Sequence, residues 1–195
     1  KSLALAAAMR DTGRVYAFDT SAHRLAALQP RLARAGFKNV HASAIAHEDD
    51  ERLQRWVGKF DRVLVAAPCS GLGTLRRQPD LKWRQSPATV TAMAQRQAAI
   101  LRAAARLLKP GGRLVYATCS PLSEENEAVA IAFSKEFAIG FDEVSAVDVL
   151  RKHLGDAAAD LCSRVHGMGD TPEATAALPP AGRFMRLWTH RHGTD

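Results

Sequence analysis

Along this chain the hydrophobic pattern alternates between short β-rich runs and longer stretches of helical spacing. In "KSLALAAAMRDTG" (1–13), Leu3, Leu5, Ala6 and Met9 share one side of a helix and Gly13 supplies its stop, with no capping residue ahead of them. "RVYAFD" (14–19) predicts a short strand ending in an acid, and "SAHRLAALQPRLARAG" (21–36) an amphipathic helix with Ser21 as N-cap and Gly36 just past its end. "NVHAS" (39–43) predicts a weaker strand, "ERLQRWVG" (51–58) a short helix and "DRVLVA" (61–66) a buried strand. After a loop over 67–86, Pro87 suits the first turn of a long helix reaching about Leu108, and "KPGG" ends it with a turn. "RLVYATC" (113–119) is the next strand. "SEENEAVAIAFSKEF" (123–137) opens as a capping box, Ser123 with Asn126 or Glu127, and continues as a helix. "FDEVSAVDVL" (141–150) fits strand or helix, 155–182 reads as a surface insertion, and "RFMRLW" (183–188) as a strand whose partner would begin where the sequence stops. A pattern that opens inside a helix and closes before a strand predicts a piece missing at each end.

Strands alternating with helices imply βαβ units, a largely parallel sheet, and ligand binding at the carboxyl ends of its strands. Asp19, Cys69 and Cys119 all stand at or just beyond such ends. The 195 residues suffice for one domain, with no internal repeat.

Composition narrows the class further. Apolar residues at 47% and charged ones at 24% describe an ordinary globular chain rather than a disordered one. Lys and Arg (27) exceed Asp and Glu (20), and the resulting +7 favours an anionic partner such as nucleic acid. No run approaches the roughly 18 apolar residues of a membrane span, and the first residues do not form a signal peptide, so the expected compartment is the cytoplasm and no membrane partner is expected. Cys69, Cys119 and Cys162 lack paired spacing, which suggests neither a disulfide framework nor zinc. His190 and His192 have no further ligands beside them and read as turn residues; no metal is expected.

At the tip of a strand in such a sheet, Asp19 can accept hydrogen bonds from both ribose hydroxyls of an adenine nucleoside; the alternative is an acid at a helix N-terminus. A single buried cysteine is usually an inert small hydrophobe, and Cys162 is read that way. Cys69 in "APCSG" and Cys119 in "ATCSP" are different, because each follows a finished strand beside proline and serine, which places two thiols at the ligand edge. Between them, "RRQPDLKW" (76–83) followed by Arg84 is a basic loop. Its Arg76, Arg77, Lys82 and Arg84 suit phosphate contacts, and Trp83 suits either base stacking or anchoring the loop in the core.

Taken together, "RVYAFDTSAHRLAAL", "AAPCSGLGTLRRQPDLKW" and "LLKPGGRLVYATCSPLSEENEAV" resemble the Sun-type RNA cytosine-C5 methyltransferases, S-adenosylmethionine enzymes of the class I (Rossmann-like) α/β fold. The likeness covers nearly the whole chain, and bacterial enzymes acting on small-subunit ribosomal RNA are the most similar. The resemblance implies that Cys119 attacks C6 of the target cytosine and that Cys69 assists the later elimination. It also implies cofactor contacts at Asp19, Lys1 and Ala66, a ribosomal or transfer RNA substrate, and a monomer.

The chain departs from the family at four places. The family's Gly-rich cofactor loop and its strand would precede Lys1, which corresponds to the last lysine of that loop, and a final strand would follow "THRHGTD". Where the family's segment opens Asp-Ala-Pro-Cys, this chain has Ala66-Ala67-Pro68-Cys69. An acid that would hold adenine after the next strand has no match around Ala46. The expected architecture is thus a partial methyltransferase domain over 1–195 without its first and last strands. A catalytically silent RNA-binding module is the second reading, and a nicotinamide-dependent dehydrogenase, which explains neither cysteine, the third.

Overall fold

The computed structural model describes residues 1–162 and 182–188. These fall into two compact units, one of Lys1–Asp61 with Arg106–Gly112, the other of Arg62–Ala105 with the chain from Arg113 on. The class is α/β with parallel strands, as the alternating pattern predicts.

In the first unit, helix α1 (Ser2–Ala8) leads through a turn into strand β1 (Val15–Asp19), helix α2 (Ala22–Ala35) and strand β2 (Val40–Ala44). Arg10 and Asp11 take the left-handed backbone conformation in that turn, which ordinary side chains disfavour. Asp11 offsets the cost by accepting the backbone N–H groups of Lys38 and Asn39 at 3.0 Å each, fixing where β2 begins. β1 and β2 pair in parallel from Val15↔Val40 to Asp19↔Ala44, so α2 is the crossover that such a pair requires. Local chemistry sets both ends of α2: Ser21 Oγ accepts from Arg24 N at 3.2 Å, and Gly36 adopts φ +73°, where a β-carbon would be strained. A short 3-10 helix, Glu51–Trp56, brings Trp56 against Tyr16 and Phe60, with ring centroids 4.2 and 5.5 Å away.

Strands β3 (Phe60–Ala66) and β4 (Leu108–Ala117) form a second two-stranded sheet. Phe60 N donates to Leu107 O at 2.9 Å near one end and Ala67 N to Ala117 O at 3.0 Å at the other, so the strands run the same way. In the second unit, helix α4 (Pro87–Ala105) and helix α5 (Glu127–Glu136) cover this sheet around a core of Val65, Leu101, Ala104 and Val129. Between β3 and α4 in sequence, a single helical turn, α3 (Leu81–Arg84), falls within the stretch expected to be loop.

Three local expectations are corrected, and one left open between strand and helix is decided. "KPGG" lies inside β4 instead of ending the helix. The Leu107 carbonyl already accepts from Lys59 N and Phe60 N, so pairing begins before the glycines, and Gly111 at φ +74° deforms the strand without ending it. The Ser123 capping box does not form. Asn126 Nδ2 donates to the Ser120 and Leu122 carbonyls at 2.8 and 2.7 Å, its Oδ1 accepts from Thr118 Oγ1, and Ser123–Glu125 becomes a 3-10 turn. Residues 141–150 resolve into helix α6 (Ala146–Leu154), and helix α7 (Ala157–Leu161) occupies the start of the expected insertion. Residues 183–188 are not a strand: Arg186 N donates to Leu161 O at 2.9 Å, and the Arg183 carbonyl accepts from Ala146 N at 3.2 Å, so these groups serve helix ends rather than a ladder. His190 and His192 lie outside the described residues.

Candidate active site

β3 and β4 end side by side, at Ala66 and Ala117, and each continues into a Cys-Ser pair. The two thiols meet. Cys69 Sγ and Cys119 Sγ are 3.1 Å apart, well outside the roughly 2.05 Å of a disulfide, and both cysteines are free. Gly73 closes the arrangement from the far side of the loop. Its N–H donates to Cys119 O at 2.9 Å, and a β-carbon there would collide with that same oxygen, so the approach requires glycine.

The environments of the two sulfurs differ. Cys119 is exposed, whereas Cys69 is partly buried, and that burial, reinforced by the hydrogen bond with Cys119, pushes the Cys69 thiol up to about 11. At neutral pH Cys69 is therefore a neutral thiol facing the more open sulfur of Cys119. Ala66 is exposed at the end of β3 and presents a methyl group where a carboxylate was expected.

Among the expected cofactor residues, Asp19 ends β1 in the first unit. Its Oδ1 accepts from Ser21 N and from the Arg24 guanidinium, both at 2.8 Å, and its Oδ2 accepts from no described residue. The carboxylate thus serves as the helix-terminal acid through Oδ1 and leaves Oδ2 open to a further donor. Lys1 caps α1 through its carbonyl, which accepts from Leu5 N, and is exposed. The acid nearest Ala46 in hydrogen-bonding terms is Asp50, whose Oδ2 accepts from Ala46 N at 2.6 Å. Both of its oxygens are also engaged by Arg52, so Asp50 is a structural cap.

The four basic residues of the loop, Arg76, Arg77, Lys82 and Arg84, are all exposed. Trp83 is 80% exposed with the Lys82 ammonium 4.5 Å from its ring centre, which rules out the core-anchor alternative; the buried Leu81 anchors this turn instead. Arg84 pairs with Asp80 at 2.7 Å. Gln85 Nε2 donates to Ser70 O at 2.8 Å, tying the end of the basic loop to the Cys69 turn. Among the described residues no cluster of His, Cys, Asp and Glu could hold a metal ion, and no helix is long and apolar enough to cross a membrane.

Sequence reasoning missed Gly73, Gln97 and Glu125. The last two did leave a signal, since each is a polar residue in the register of buried apolar neighbours on its own segment.

A mixed α/β fold with parallel strands is the framework this chain shares with class I methyltransferases. The chain belongs to the family described as 16S rRNA methyltransferase RsmB/F, whose profile matches residues 1–194. It is 43% identical over 139 residues to a putative methyltransferase of Mycobacterium tuberculosis, covering 70% of this chain and 24% of that protein. It is 43% identical over 123 residues to ribosomal RNA small subunit methyltransferase B of Enterobacter sp., covering 62% of this chain and 28% of that one. Among solved structures, PH0851 superimposes with a TM-score of 0.70 at 30% identity, over 97% of this chain and 36% of its own. NSun6 from Pyrococcus horikoshii, solved with SFG, gives 0.60 at 31% identity, over 68% of this chain and 33% of its own. The chain spans roughly a quarter of the length of these two curated relatives, 24% and 28%.

Proposed function

We propose that this chain carries the thiol machinery of an S-adenosylmethionine-dependent RNA cytosine-C5 methyltransferase acting on small-subunit ribosomal RNA, as one partial catalytic domain working as a monomer in the cytoplasm. The observation that carries the reading is the 3.1 Å approach of two thiols with unlike environments. Cytosine C5 is a poor nucleophile until a thiolate adds at C6 and makes the ring an enamine. Cys119, the exposed sulfur, loses its proton to water and forms the bond to C6. S-adenosylmethionine supplies the electrophilic methyl group that C5 takes.

Release then requires the proton on C5 to leave and the C6–S bond to break, returning the electron pair to Cys119. Cys69 suits that step because of its neighbour. Burial is the main cause that raises its pKa, and the hydrogen bond and charge of Cys119 add to it; once the Cys119 sulfur is bonded to carbon these two additions weaken, so more of Cys69 is in the thiolate form that can take the C5 proton. On the cofactor side the donor set fits: Asp19 Oδ2 suits the ribose hydroxyls, and Lys1 and Ala66 are the other expected contacts. RNA carrying tritium at cytosine C5 tests the whole reading. Tritium should enter water in step with methyl incorporation, and incorporation without release would move the reaction off C5.

The exposed loop is the proposed RNA surface, with Trp83 as stacking face and Arg76, Arg77, Lys82 and Arg84 on phosphates. Each phosphate contact to single-stranded nucleic acid adds about 0.7 to the slope of log affinity against log salt, so Arg76→Ala with Arg77→Ala should flatten it by about 1.4. Filter binding at several salt concentrations reads this slope; an unchanged one would place the RNA elsewhere. Ala66 and the positive charge favour the second reading, a silent RNA-binding module, which shares this loop but predicts no tritium release.

A further inference from the structure

Glu125 and Gln97 are both fully buried, and among the described residues no Lys, Arg or His side chain bonds to the Glu125 carboxylate. Taking a carboxylate out of water is costly unless its lone pairs are met. Glu125 meets them on the residue that follows Cys69: Oε1 accepts from Ser70 N at 2.7 Å and Oε2 from Ser70 Oγ at 2.5 Å. Gln97 Nε2 donates to Glu125 Oε1 at 3.1 Å and to the carbonyl of Pro68, the residue before Cys69, at 2.9 Å. The two side chains therefore grip the Cys69 turn on both sides.

The grip reaches the other thiol as well. The hydroxyls of Ser70 and Ser120, each the residue after a cysteine, hydrogen-bond at 3.2 Å. Tyr116, three residues before Cys119 on β4, donates its hydroxyl to the Glu125 carbonyl at 2.6 Å.

We infer that Glu125, with Gln97, is a positioning residue that acts through Ser70 to hold the Cys69 sulfur against the Cys119 sulfur. Glu125 has no exposed surface with which to touch RNA or cofactor, so its effect must pass through the turn it grips. The inference rests on the proposed use of both thiols, but its geometry can be read without any activity.

Oxidation of the full chain by diamide reads it. The reagent takes up two hydrogens as two thiols become one disulfide, and peptide mapping measures the rate at which the Cys69 and Cys119 peptides become linked. Glu125→Gln, close in shape but presenting an amide donor to Ser70 or Gln97, should slow linkage about tenfold, since displacements near 1 Å strongly penalise proximity-dependent reactions. Ser70→Ala should do likewise, and Ser70→Thr, which keeps the hydroxyl, should return to within about twofold of the native rate. That rescue separates positioning from a general loss of packing. In methyl transfer, Glu125→Gln should lower kcat with KM for RNA and cofactor unchanged. Native linkage rates in both Glu125→Gln and Ser70→Ala would overturn the inference; if Glu125→Gln lacks a cooperative thermal transition, the Ser70 pair decides alone. A chain that links normally yet transfers no methyl group would count against the proposed reaction and leave the clamp standing.

Discussion

Cys119→Ser is expected to abolish both methyl transfer and any covalent protein–RNA complex, while Cys69→Ala retains attack and stalls afterwards as an RNA-linked protein that survives denaturing electrophoresis. The asymmetry follows from the site. Sulfur is a far stronger nucleophile than a serine hydroxyl oxygen, so the hydroxyl at position 119 cannot add to C6. The loss should be on the order of 10³-fold or more, the scale of removing a nucleophile from a site that has no substitute. Cys69 has the opposite character: burial and its neighbour hold it as a neutral thiol up to about 11, unfit for attack but placed to act once Cys119 is consumed. The assay uses the protein at the full length its gene encodes. Adduct in Cys119→Ser and none in Cys69→Ala would exchange the roles, and full activity in both variants would make the cysteines structural.

Ala66→Asp should raise methyl transfer by about 10²-fold or more, the lower range of what a placed acid or base contributes. Addition of a thiolate at C6 drives negative charge onto the ring edge. A carboxyl group at the end of β3, three residues before Cys69, is what the resembling family offers there, and a methyl group offers nothing. Single-turnover rates of the two forms measure the gain, with RNA affinity as the control that should not change. Equal rates would mean that another group serves the ring edge. A variant that gains RNA methylation from an undetectable baseline would show that Ala66 had left the native chain a binding module.

Features decided by neighbours in sequence were legible from the sequence. Ser21 and Gly36 bound α2 because capping needs only a hydroxyl and a left-handed residue at the right spacing. Asp19, Cys69 and Cys119 were locatable because the end of an apolar run marks a strand end, and strand ends are where such sheets bind. The distance between the two sulfurs was not legible, since it depends on how β3 pairs with β4, 50 residues apart in sequence. Nor was the Glu125 clamp, which spans 55 residues.

Competing contacts also defeated two sound local rules. Ser123 stands correctly for a capping box, yet Thr118, Ser120 and Leu122 claim Asn126 first. Residues 183–188 alternate as a strand should, but Arg186 pairs with Glu127 and donates to the Pro121 carbonyl, which draws the segment to the loop after β4 instead of into a ladder.

RNA with 5-fluorocytosine at the target gives the most direct measurement, because C5 then carries no proton to remove and the adduct cannot be resolved. The linked protein is digested and the nucleotide-bearing peptide sequenced by mass spectrometry. The nucleotide should sit on Cys119. A nucleotide on Cys69, or methyl transfer to ordinary cytosine with no adduct on the fluorinated RNA, would contradict this assignment.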